Sequence, residues 1–261
     1  MKKALWIANA FLIILFILLA GYYFLIPSDA RVVPDGAGES RTIIGGIWEE
    51  AFPPPVIVNG EILLPYETVK KHIDPTLWWD ESLKKVTITT KDRVIRMQTE
   101  SLNALINGKP MDLDVPMQIR EDTVYIPVGA FSDLYGIELK HLNRDGADTV
   151  MIDFRAREKV LTGPRTGIGV IRVHRSMSIR SPLIRKIRTD GESKPLTGED
   201  ELLVFGEENG WYRVRTQDGF FGYVQTGRVD LFPLPPLISP LPDPSVKEGP
   251  WAPAAGKINL T

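Results

Sequence analysis

The side chains able to do chemistry are few and scattered. There is no cysteine, which excludes disulfides, thiol nucleophiles and thiolate metal sites. The histidines are His72, His141 and His174. His72 stands in a helix-like stretch beside Val69 and Ile73, and His141 adjoins Lys140 and Leu142, so each reads as a helix-face or surface histidine rather than a copper ligand. Glu199, Asp200 and Glu207 lack the spacing of a catalytic carboxylate pair and read as turn or surface groups. No P-loop, no G-x-G-x-x-G after a strand, no G-x-S-x-G and no H-E-x-x-H occurs. The sequence therefore assigns no catalytic residue, no metal ligand and no cofactor.

What remains is chemistry of binding. Residues 209–224, NGWYRVRTQDGFFGYV, place five aromatic residues and three glycines in sixteen positions. Strand alternation sends Trp211, Arg213 and Arg215 to one side and Tyr212 and Val214 to the other. Asp218-Gly219 suits a tight hairpin turn, so Phe220 to Val224 returns beside Tyr212 to Arg215. Two readings stand side by side. In one, Phe221, Tyr223 and Val214 fill a small barrel while Trp211 covers one end. In the other, Trp211, Tyr212 or Phe220 stays exposed and stacks on a sugar or holds a peptide. The candidate ligand-binding residues are Trp211, Tyr212, Phe220 and Tyr223, with Arg180. The cluster Arg172, Arg175, Arg180, Arg185, Lys186 and Arg188 is either a solvated face or a contact for an anionic polymer or lipid headgroups.

The elements that must position these residues start with an apolar run. From Ala4 to Pro27 the chain carries no charge, and as a helix this stretch would be about 36 Å long. It reads as an uncleaved transmembrane anchor. Lys2 and Lys3 then place the N-terminus inside and all later residues outside the cell. Lys and Arg number 31 against 33 Asp and Glu, with no run of like charge, so no nucleic-acid partner is indicated.

Residues 28–55 mix Gly, Pro, Glu and Asp and read as a spacer. An internal repeat follows. Residues 60–73, GEILLPYETVKKHI, align with residues 122–137, DTVYIPVGAFSDLYGI, when Pro65 is laid on Pro127. Each copy runs from an apolar strand into Pro, then an amphipathic helical stretch, then β-rich segments; Asn107-Gly108 and Asp145-Gly146 supply turns. The expectation is a duplicated α+β domain over residues 56–155. Residues 156–167 read as a linker, and residues 168–231 as short strands of a small barrel. Eight prolines between Pro233 and Pro253 mark residues 232–255 as a semi-rigid linker, and GKINLT, 256–261, resembles the first strand of a further domain.

Two family resemblances lie on these segments. NGE at 59–61, LLPYETV at 63–69, VTITT at 86–90, LINGKPMDL at 105–113 and VYIPVGAF at 124–131 resemble the small N-terminal domain of copper amine oxidases. The resemblance implies no oxidase activity, because the Asn-Tyr pair of the quinone-forming tyrosine is absent. SMSIRSPLIRKI at 176–187, LLVFGEENGWYRVR at 202–215 and DGFFGYV at 218–224 resemble the bacterial Src-homology-3-like (SH3-like) domain. That family is associated with peptidoglycan glycan or peptide, which implies a wall partner. The order of modules is similar to the N-terminal half of wall- or spore-associated family 18 glycoside hydrolases, whose Asp-x-x-Asp-x-Asp-x-Glu signature is absent.

The fold expected is thus a multi-domain chain with a transmembrane helix, a duplicated α+β domain, an all-β SH3-like barrel and a Pro-rich tail. The function expected is that of a non-catalytic, membrane-anchored extracytoplasmic protein that binds or positions against the bacterial cell wall. The alternative is the targeting part of a truncated family 18 glycoside hydrolase, secreted or spore-associated after cleavage.

Overall fold

The computed structural model describes residues 2–49, 53–90 and 93–234. The proline-rich stretch from residue 235, the hexapeptide 256–261 and Asp92, which by its type reads as a turn residue in the sequence, lie outside these. The chain divides into two units, one formed by 1–37 and 159–234, the other including 38–158.

The first element is a helix, α1, over Lys2–Leu25. Here the expected transmembrane anchor is corrected: among the described residues no helix is long and apolar enough to cross a membrane. Within it the stretch 9–23 is short and not apolar enough for a span. It also holds Asn9, Gly21, Tyr22 and Tyr23.

The unit containing 38–158 is mostly β, which corrects the α+β expectation. Its strands are β1 (Arg41–Ile44), β2 (Ile47–Glu49), β3 (Val56–Val58) and β4 (Glu61–Pro65), followed by the seven-residue helix α2 (Tyr66–His72). Then come β5 (Trp78–Asp80), β6 (Lys85–Thr89), β7 (Val94–Gln98), β8 (Asn103–Ile106), β9 (Lys109–Asp112), β10 (Gln118–Arg120) and β11 (Thr123–Pro127). A 3-10 turn at Gly129–Phe131 leads into the four-residue α3 (Ser132–Tyr135), before β12 (Ile137–Arg144) and β13 (Ala147–Phe154). The amphipathic stretches after each proline are helical, but each is stopped within two turns. Gly136, at φ 59° in the left-handed region, ends α3 where a Cβ would be disfavoured.

These strands form three sheets, ordered β12-β13-β1-β2, β10-β11-β4-β3 and β5-β6-β7-β8-β9. Residues 41–44, in the stretch read as a spacer, are the fully buried β1, which runs parallel to β13 with Ile43 beside Met151 and Ile44 beside Ile152. Arg41 and Thr42 are buried with the two isoleucines, and the Arg41 guanidinium donates to the Thr149 hydroxyl at 3.1 Å. Leu64, Ile88, Met97, Ile126, Phe131 and Ile152 lie in one buried core.

The repeat is visible as geometry. β4 and β11 pair antiparallel with Leu63 opposite Pro127, Leu64 opposite Ile126 and Pro65 opposite Tyr125. With Pro65 equivalent to Pro127, this register maps onto itself about the Leu64–Ile126 pair, so the copies meet across a local two-fold axis. Asn107-Gly108 has φ of 50° and 80°, both positive as a type I′ hairpin requires, and joins β8 to β9.

The other unit carries β14 (Lys159–Pro164), β15 (Val170–His174), β16 (Leu183–Arg188), β17 (Leu202–Glu208), β18 (Trp211–Thr216), β19 (Phe221–Gln225) and β20 (Val229–Leu234). They form one sheet of seven strands, ordered β16-β15-β19-β18-β17-β14-β20. β14, in the segment read as linker, lies between β17 and β20. Ile171, Val173, Ile187, Leu202, Val214 and Val224 make its core.

Candidate functional site

The aromatic stretch forms β18 and β19, with Arg215 opposite Phe221, Arg213 opposite Tyr223, Val214 opposite Gly222 and Tyr212 opposite Val224. Residues paired across a ladder share a face. Val214, Val224 and Tyr212 therefore face the core, where they pack with Ile171 and Val173. Gly222 is the flat point that allows this: a Cβ there would lie 2.6 Å from Ile184 Cδ1 and 2.7 Å from Val173 Cγ1.

The opposite face alternates cations and rings. The Arg213 guanidinium lies 4.4 Å from the Phe221 ring centroid, and that of Arg215 lies 5.1 Å from the Phe205 centroid. Phe205 and Phe221 meet edge to face at 5.8 Å. Phe205 reaches this face because the β17–β18 register shifts between Val204 and Gly206. The extra residue of such a bulge re-aims one side chain. Guanidinium planes over aromatic faces are held by the ring quadrupole; Arg215 is itself buried, while Phe205, Arg213 and Phe221 are half-buried. Such an arrangement can bind a ligand that combines ring faces with carboxylates or hydroxyls.

The candidate residues separate. Tyr223 lies on the cation–ring face, opposite Arg213. Trp211 is on the same side of β18 but only 9% exposed, with its ring edge-on to His174 at 5.5 Å. His174 is buried; its Nδ1 lies 2.9 Å from the Ser181 carbonyl oxygen, and burial holds its pKa below the ordinary imidazole value. Tyr212 packs against the core, and Phe220 is a half-buried loop residue. The Asp218-Gly219 turn is wider than a two-residue hairpin: the Thr216 amide donates to Phe220 O, and the Asp218 carboxylate accepts from the Thr216 hydroxyl and pairs with Arg185 at 3.0 Å. Arg180 is engaged elsewhere, donating to Ile26 O at 2.8 Å with its guanidinium 4.5 Å from the Tyr23 ring centroid. Alternation already placed Arg213 and Arg215 beside Trp211 in the sequence. No local signal marks Phe205, because its face is set by the bulge.

The basic cluster is largely satisfied from within its own unit. Asp29 pairs with Arg172 at 2.9 Å and Lys186 at 2.8 Å, and Asp35 pairs with Arg175 at 2.8 Å. Hydrogen bonds from Arg172 and Lys186 lower the Asp29 pKa to about 2. The backbone runs with these ion pairs: Ser28 donates to Ile179 O, Leu183 to Ala30 O and Val32 to Leu183 O. Residues 28–35 thus lie as a strap along β16, an outer strand of the sheet.

In the unit containing 38–158, His72 Nε2 lies 2.8 Å from Glu49 and His141 Nε2 lies 2.7 Å from Asp148. Among the described residues no three His, Asp or Glu side chains gather as a metal site. The residues present do not fit a copper centre, and no step through a metal follows from them.

Residues 44–150 match the family model of the copper amine oxidase N-terminal domain. The matched segment starts at the last residue of β1 and ends within β13, the strand with which β1 pairs. The N-terminal domain of copper amine oxidases is non-catalytic by itself. The matched segment accounts for less than half of the chain. No curated protein matches the sequence.

Proposed function

We propose that the chain is a non-catalytic extracytoplasmic protein that binds or positions against the bacterial cell wall, with the cation–ring face of β17, β18 and β19 as its contact. The observation that carries this reading is the stacking of Arg213 on Phe221 and of Arg215 on Phe205. Wall material offers sugar rings and peptide carboxylates together, and rings flanked by guanidinium groups suit that combination. The resemblance of 176–224 to the bacterial SH3-like domain supports the same partner. The copper amine oxidase N-terminal module adds a second non-catalytic body.

The test is co-sedimentation of the full chain with insoluble peptidoglycan, comparing wild type with Phe221→Ala and Arg213→Gln after each is shown to keep its thermal transition. Binding is expected to fall at least about tenfold in either variant, the effect of removing one desolvated cation–ring contact. Unchanged binding in both folded variants, or no binding by wild type, refutes the assignment.

A further inference from the structure

The copper amine oxidase N-terminal module has a groove of its own. It encloses about 430 Å³ and is walled by Tyr66, Trp79, Pro53 and Pro65, with Glu67 and Asp122 at its polar side. Its size and mixed lining are those of a small-molecule site.

The local two-fold axis explains why the groove is open. In the second copy, the carboxylate of Glu61 reaches across from β4 and accepts hydrogen bonds from the backbone N–H groups of Gly129 and Ala130. Laying Pro65 on Pro127 makes Thr123 the equivalent of Glu61, and Glu67 and Thr68 the equivalents of Gly129 and Ala130. Thr123 is too short to fill the corresponding place, and there Thr123, Glu67 and Thr68 line the groove. One half of the module is plugged by its own side chain; the other half is not.

The charge of the lining narrows the occupant. Among the lining side chains Glu49, Glu67 and Asp122 stand against one ammonium, Lys71, which is committed to Glu49 at 2.7 Å, while Lys70 beside the groove is held at the Tyr66 ring, 5.4 Å from its centroid. Glu67 and Asp122 are exposed and make no ion pair among the described residues. The groove therefore joins ring and proline surfaces to two carboxylates that accept hydrogen bonds and favour a cation.

We infer that this groove is a saccharide site for glycans carrying a free amino group: a sugar ring packs on Tyr66 and Trp79, while its ammonium and hydroxyl groups donate to Glu67 and Asp122. The choice of a glycan rests on the wall-binding reading, but the site lies in the other unit and takes a soluble ligand. The experiment is isothermal titration calorimetry of the full chain at low salt with a glucosamine tetramer, its fully N-acetylated counterpart and a tri-lysine peptide. The glucosamine tetramer is expected to bind, to weaken as salt is raised, and to lose about tenfold in affinity in the double variant Glu67→Gln/Asp122→Asn, since two exposed ion pairs account for about that much. The double variant keeps its thermal transition because both side chains are exposed.

No binding of the glucosamine tetramer, equal binding by wild type and the double variant, or equal affinity for the N-acetylated tetramer overturns the inference. Equal or tighter binding of tri-lysine overturns it in favour of a protein partner. Phe221→Ala is expected to leave this titration unchanged, so failure here is distinguishable from failure of the peptidoglycan assay.

Discussion

Gly129→Ala is expected to change sign with its background. An added Cβ would lie 2.5 Å from both Glu61 carboxylate oxygens and 2.8 Å from Cδ. Nothing in the backbone forbids alanine, since Gly129 is not among the residues with positive φ. The carboxylate is the end of a flexible side chain, so it swings away and leaves the Gly129 and Ala130 N–H groups without it. The Ala130 bond is long, at 3.3 Å, so the pair is worth about 2 kcal/mol. Alanine returns about 0.5–1 kcal/mol over glycine in a helical turn. The net expectation is a loss of about 1–1.5 kcal/mol. In a Glu61→Ala background the carboxylate is already gone, and the same substitution stabilises by about 0.5–1 kcal/mol. The assay is urea unfolding at pH 8, read by hydrogen exchange at β4 and β11. With a slope of about 1–3 kcal/mol per molar urea, the loss shifts the midpoint by roughly 0.3–1.5 M. Equal effects in the two backgrounds, within about 0.3 kcal/mol, would refute the account of Glu61 as a plug.

Three further outcomes can be checked on the other unit. Gly222→Ala drives a Cβ to 2.8 Å from the His174 carbonyl oxygen as well as into Ile184 and Val173, and should lower stability by about 1–3 kcal/mol, read as a drop in thermal midpoint. Burial holds the His174 pKa below the ordinary imidazole value of 6.5, so its contribution to stability is complete above that pH and falls as pH drops below it. His174→Gln should flatten that part of a stability profile measured from pH 7.5 to 4.5. Asp29, lowered from 3.8 to about 2, keeps its ion pairs until pH falls through that window. Amide exchange at Val32 and Leu183, corrected for its intrinsic pH dependence, should therefore be constant from pH 7 to 4 and faster between pH 4 and 2. Asp29→Asn should remove the transition.

Local chemistry was legible in the sequence and non-local chemistry was not. The Pro65 and Pro127 repeat, the Asn107-Gly108 turn and the two faces of β18 follow from spacing and alternation, and the structure places them accordingly. β1 was hidden because its partner, β13, lies about a hundred residues on, and a four-residue strand with only two apolar side chains carries no sign of parallel pairing. The cation–ring face was half legible: alternation gives Arg213 and Arg215, but Phe205 depends on a register shift. The basic cluster looked open because Asp29 and Asp35 stand some 140 residues before the arginines they neutralise. The helices were overread because apolar spacing after a proline does not say how soon a turn such as Gly136 ends them.

The self-mapping register of β4 and β11 bears on ancestry. A strand that pairs with its own duplicate about a two-fold axis presents the geometry of an isologous homodimer whose subunits have been fused. Once joined, the halves were free to diverge, and Glu61 against Thr123 is one such divergence. Symmetry supplied the fold twice, while its local loss left one half closed on itself and the other with a groove.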